Sequence, residues 1–166
     1  MATNALTTYL QDHLAGSVAA IEILDALRDQ QAHGSIGSFA AAILEEVERD
    51  RETLESLIKR MGGGASAVKE TTAWIGARFK RLRMRHSLSE DFGALEALEI
   101  IALGILGKKA LWDALAALRD MDGPLGELDL EQLMERANTQ HALVEARRVE
   151  MARKVLGAAG REVETR

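Results

Sequence analysis

Residues 35–61 read SIGSFAAAILEEVERDRETLESLIKRM. Apolar residues recur at Ile36, Ala40, Ile43, Val47, Leu54, Leu57 and Met61, in steps of three, four and seven. On a helix this spacing keeps one stripe on one face, the seam of a bundle or coiled coil. Asp50 falls on that seam, and Glu45, Glu48, Glu52 and Glu55 fall away from it as an acidic outer stripe. Gly62-Gly63-Gly64 supplies the stop. A carboxylate on a buried seam is costly unless it is paired or bound to something, so Asp50 predicts a bundle with a polar centre.

The same pattern extends outward in both directions. A first helix is expected from about Ala5 to Gln31, with the seam Leu6, Leu10, His13, Ser17, Ala20, Leu24 and Leu27. His33-Gly34 ends it, and Ser35 can cap the helix that follows. A third helix is expected from about Asp91 to Asp120, capped by Ser89 or Asp91. It is apolar nearly all round, from Leu95 and Leu98 through Ile100, Leu103 and Leu106 to Leu115, which predicts a central position. Pro124 breaks the chain, and Asp129, with Gln132 three residues on, opens a fourth helix. Its expected seam is Leu130, Leu133, Ala137, His141, Val144, Arg148, Met151 and Val155. Residues 66–86 form a further amphipathic stretch, read as a helical crossover that returns the chain to the other end of the bundle. The chain reads as one domain over 5–156, with 157–166 as a frayed tail.

Composition agrees with an all-α fold. The 166 residues are 47% hydrophobic and 28% charged, enough for one buried core. A single proline and few strand-like runs favour helix, and with aromatics at 4%, Leu, Ala, Ile and Val must fill the interior. The absence of cysteine excludes disulfides, thiolate metal sites and a cysteine nucleophile, and fits a reducing, cytoplasmic setting. The N-terminus lacks the basic region of a secretory signal, and the apolar stretch near 97–107 is too short to span a bilayer. The net charge of −5 argues against bulk nucleic-acid binding.

Two helices, a long crossover and two more helices is the ferritin-like order. With Tyr9-Leu10-Gln11-Asp12-His13-Leu14-Ala15-Gly16 on the first helix and Gly107-Lys108-Lys109-Ala110-Leu111-Trp112 on the third, the chain resembles a group of uncharacterised bacterial ferritin-like proteins over about 5–156. The resemblance implies a four-helix up-down bundle. In its di-iron members it also implies a pair of Glu-x-x-His motifs and two further glutamates. Here those motifs are broken: Arg49 stands where the second helix needs His, and Asn138 stands where the fourth needs Glu. A mixed set of His13, Glu46, Asp50, Glu99 and His141 still offers nitrogen and oxygen donors for iron or manganese.

The preferred reading is a buried network of salt bridges and hydrogen bonds, with no cofactor. If adjacent helices are antiparallel, Arg148 is nearly level with Glu99, and His13 with Asp50. An Arg148–Glu99 pair and an Asp50–His13 pair are therefore expected, with His141 in the same polar centre. Arg148 favours the network, because a cation inside a bundle repels a metal ion. No nucleophile, oxyanion loop or phosphate loop accompanies these residues beyond Ser17, one turn from His13, so a non-catalytic protein is expected. A homodimer through an apolar helix face is the expected assembly.

One basic stretch stands apart. Lys69, Arg78, Lys80, Arg81, Arg83 and Arg85 face a single acid, Glu70, within 69–86. Arg78, Arg81 and Arg85 share a face, making them the candidates for an anionic partner or membrane surface. The structural alternative is pairing with the acidic stripe of the second helix or of a partner subunit.

Overall fold

In the computed structural model the described residues are 5–62, 89–118 and 124–163. They form four long helices and one short turn of 3₁₀ helix: α1 Ala5–Gln30, α2 Ser35–Arg60, α3 Glu90–Ala116, a 3₁₀ turn Pro124–Glu127, and α4 Leu130–Val163. The expected crossover helix, with Arg78, Arg81 and Arg85, lies outside the described residues.

Helix ends follow local chemistry. The Ser89 hydroxyl accepts the Phe92 N–H at the start of α3, and Asp129 Oδ1 accepts the Gln132 N–H at 3.0 Å at the start of α4. Gly34, not Ser35, occupies the N-cap of α2, with no side-chain cap. Gly62, at φ +77°, ends α2 in the left-handed region that glycine tolerates. At Gly37 the reason for glycine is space, since a Cβ there would press into the backbone carbonyl of Gln31 across the α1–α2 turn. The tail expected to fray continues as helix to Val163. Alanines there favour helix, and each of the two glycines costs only about 1 kcal/mol.

The helices form a ring in the order α1, α2, α4, α3. Contacts are densest between α1 and α2 and between α3 and α4; α1 meets α3 less extensively, and α2 meets α4 least. Ion pairs set the directions. Arg60 pairs with Glu127 and Arg136 with Asp50, so α2 and α4 run antiparallel. Lys154 pairs with Asp91 and Arg148 with Glu99, so α3 and α4 are antiparallel too. Therefore α2 and α3 are parallel, and the chain leaves α2 at one end of the bundle and enters α3 at the other.

The core is aliphatic. Leu10, Leu24, Ile43, Leu57, Leu98, Ile101, Leu115, Leu130 and Val144 are fully buried, together with Trp112. The α2 seam is the one expected, Asp50 included. Two expectations differ. On α1 the buried positions are Leu10, Leu14, Ala15, Ala19, Ile23, Leu24 and Leu27, so Leu10, Leu24 and Leu27 of the expected seam face inward, Ala20 packs against the core half-buried, and His13 and Ser17 stand to one side of it. On α3, Leu103 and Leu106 are exposed, so this helix is peripheral like the others and not wrapped on all sides. In a four-helix ring each helix touches two neighbours and keeps an outer face.

Candidate functional site

The polar centre is built on Asp50, buried between Val47 and Leu54 on α2 and only 3% exposed. Lys108 reaches across the bundle diagonal from α3 and donates from Nζ to Asp50 Oδ2 at 2.5 Å and to Gln140 Oε1 on α4. Arg136, one turn before Gln140, pairs through Nη2 with Asp50 Oδ1. This last contact is an ion pair approaching off the hydrogen-bonding direction, since Oδ1 accepts no aligned hydrogen bond. Gln140 is fully buried, and its Nε2 donates to Glu46 Oε2 at 2.8 Å and Asp50 Oδ2 at 3.3 Å. Two carboxylates, two cations and one amide thus bridge three helices and nearly complete each other's hydrogen bonding, the condition under which buried charge is tolerated.

Burial pushes the Lys108 ammonium below its ordinary value of 10.5. The attraction and hydrogen bond of Asp50 oppose that shift, Arg136 adds to it, and Glu46 opposes it again.

A cleft of about 380 Å³ opens beside this network, walled by α1, α2 and α3. One end carries Tyr9, Asp12, His13, Arg51, Lys108 and Trp112, and the other carries Ala20, Val47, Ile101 and Ile105. α1 turns back into α2 across residues 31–34 and so runs antiparallel to α2 and to α3, which places Tyr9 toward the Trp112 end of the cleft and Ala20 toward the Ile101 end. His13 stands edge-on to Tyr9, with ring centroids 4.6 Å apart and planes at 76°. Partial burial lowers its pKa below the ordinary 6.5, with Asp12 opposing, which favours the neutral imidazole.

The structure assembles only part of the residue set expected from sequence. Asp50 and Glu46 belong to the network. His13 does not pair with Asp50: both line the cleft, but Asp50 is taken by Lys108, Arg136 and Gln140. Arg148 does reach Glu99, at 3.5 Å, but that pair lies at the surface. The Glu99 side chain is 52% exposed, and Arg148 is held more closely by Glu145, with Nε–Oε2 at 2.8 Å. His141 is half-buried and acts on Glu145, outside the network.

The five-residue ligand set is therefore spread over separate places. Among the described residues no group of three or more His, Asp or Glu is placed to hold a metal ion. The donor chemistry explains why: an ammonium occupies the position between Asp50 and Gln140. These residues do not fit a di-metal centre.

Sequence reasoning missed Lys108, Arg136 and Gln140. After Ala137, a step of three or of four both suit a helical seam, and the buried choice is Gln140, not His141. Lys108 had a visible signal, since it follows a long apolar run and precedes Leu111 and Trp112, both buried.

Over the described residues the fold and site define the class: four long α-helices with an internal salt-bridge network beside an apolar cleft. Comparison with protein-family models, curated proteins and solved structures finds no match to any of them. Among the described residues no helix is long and apolar enough to cross a membrane.

Proposed function

We propose that this chain is a non-catalytic ferritin-like helical-bundle protein in which a salt-bridge network stands in place of a di-iron centre. The carrying observation is Lys108 Nζ, held between Asp50 Oδ2 and Gln140 Oε1 at the middle of the bundle. A protonated amine there supplies the positive charge that a metal would supply in a carboxylate bundle. It also repels an incoming cation. The reading is supported by the helix directions, because a chain that leaves α2 at one end and enters α3 at the other suits the ferritin-like order. Ser17 is not set up as a nucleophile against His13: its hydroxyl donates to the Leu14 carbonyl at 2.6 Å. A cytoplasmic homodimer completes the reading, using the outer face of α3 that exposes Leu103 and Leu106.

The test is elemental analysis of protein purified without chelator, then loaded with iron or manganese and dialysed exhaustively. Metal-free, fully folded protein is the expected result. Near-stoichiometric metal that is lost on Asp50→Asn would overturn the proposal and make the His13, Glu46, Asp50, Glu99 and His141 set the next target. Sedimentation of wild type and Leu103→Glu tests the dimer.

A further inference from the structure

We propose that the cleft between α1, α2 and α3 binds an uncharged, elongated, lipid-like molecule whose single carbonyl-type oxygen lies at the Lys108–Trp112 end. Three independent features lead there.

The first is the placement of glycine. Gly16, Gly104 and Gly107 lie inside helices and all line this cleft. Among the described residues a Cβ built at any of them meets nothing within 4 Å, whereas one at Gly37 meets backbone. Glycine inside a helix costs about 1 kcal/mol relative to alanine. No close approach of another helix accounts for these three, and what they leave is open volume.

The second is charge. Lys108 and Asp50 neutralise each other, with Arg136 and Glu46 completing the balance. Arg51 is paired with Glu55 at 2.7 Å, and burial favours the uncharged form of His13. Asp12, exposed at the rim, keeps its hydration, and deeper in the cleft a charged ligand head would meet no uncommitted counter-charge among the described residues, which is costly.

The third is an excess of donors at one end. Lys108 has three N–H groups and two acceptors, Asp50 and Gln140, among the described residues. Trp112 is 1% exposed, and its indole N–H has no acceptor among the described residues. Arg51 Nε is likewise buried without one. A ligand oxygen that accepts without carrying charge suits this end, and a hydrocarbon body suits Val47, Ile101 and Ile105 at the other. From Tyr9 to Ala20 the α1 wall runs about 16 Å, the length of an extended chain of roughly twelve carbons. The volume is in the range of small-molecule sites, about 300–1,000 Å³.

The experiment titrates the whole chain with 2-undecanone, undecanoate, undecylamine and undecane, following by NMR the backbone amide resonances of the residues that line the cleft, together with the Trp112 indole resonance in the proteins that retain it. Saturable one-to-one binding of the ketone is expected, at least about tenfold tighter than that of the carboxylate or the amine. Gly104→Leu and, separately, Gly16→Leu should abolish binding while circular dichroism and thermal melts show folded protein. Two such variants guard against one that fails to fold. Trp112→Phe should weaken the ketone and leave undecane unchanged. No saturable binding, or binding unaffected by both filled-glycine variants, overturns the site. Carboxylate or amine binding as tight as the ketone overturns the uncharged head. Equal loss for ketone and undecane in Trp112→Phe overturns the donor assignment.

Discussion

Asp50→Asn tests the network most directly. The substitution keeps the shape of the side chain and removes the one charge shared by Lys108 and Arg136. Breaking a buried pair from one side costs about 3–5 kcal/mol, because the remaining charge is stranded. Here the two cations differ. The Arg136 side chain is 27% exposed and recovers hydration, whereas the Lys108 side chain is 15% exposed and keeps, among the described residues, the Gln140 acceptor and the attraction of Glu46. The loss should therefore lie at the low end, about 3 kcal/mol. For a domain of 166 residues, at about 2–4 °C per kcal/mol, that is a fall of roughly 6–12 °C in Tm. Urea denaturation with an unchanged m-value would give the same loss as a shifted midpoint. Adding Lys108→Met should restore part of it, since no stranded ammonium remains, and the double-mutant cycle should show strong coupling. The pH dependence carries a definite sign. Lys108 has a folded pKa below 10.5, so between that lowered value and 10.5 the unfolded chain binds more protons than the folded one. Wild-type stability should accordingly gain a component that rises with pH through that window and is absent from Lys108→Met. In Asp50→Asn the window should open at lower pH, because the main influence raising the Lys108 pKa is gone. A loss below about 1 kcal/mol for Asp50→Asn, or strict additivity with Lys108→Met, would refute the network as a coupled unit.

Three further outcomes are expected. The folded pKa of His13 lies below 6.5, so as pH falls from 6.5 through that value the unfolded chain takes up the proton first and stability is lost; denaturation at pH 5 and pH 8 should show His13→Gln lacking this part of the acid sensitivity. Gly37→Ala, whose Cβ would lie 2.7 Å from the Gln31 carbonyl carbon, should destabilise by about 1–3 kcal/mol, while Gly104→Ala should stabilise by about 0.5–1 kcal/mol, both read from denaturant midpoints. Glu99→Ala should leave the thermal midpoint within replicate scatter, because Arg148 keeps Glu145; a clear drop would return the Arg148–Glu99 pair to a structural role.

Periodicity made the four helices legible, together with the α2 seam and the Ser89 and Asp129 caps, because each depends on residues within a few turns of one another. Asp50 was legible for the same reason: it stands where Val47 and Leu54 require a buried side chain. The partners of Asp50 were not. A seam assigned to one helix has a tolerance of one residue, and that tolerance exchanged Gln140 for His141 and placed His13 on the core line of α1. Level-matching across a turn found the Arg148–Glu99 pair correctly and misjudged its burial, since height along an axis says nothing of rotation about it.

What the chain's local order establishes is helix, stripe, stop and the presence of a polar centre, because these follow from spacing at 3.6 residues per turn and from the cost of placing a carboxylate on an apolar face. Which cation meets Asp50, and whether open space remains beside it, depends on how four cylinders rotate and approach one another. Lys108 reaches Asp50 only because α3 lies diagonal to α2. The cleft exists only because Gly16, Gly104 and Gly107 fall on the walls that α1 and α3 turn toward it. Those rotations minimise the free energy of the whole core at once, and no single helix encodes them.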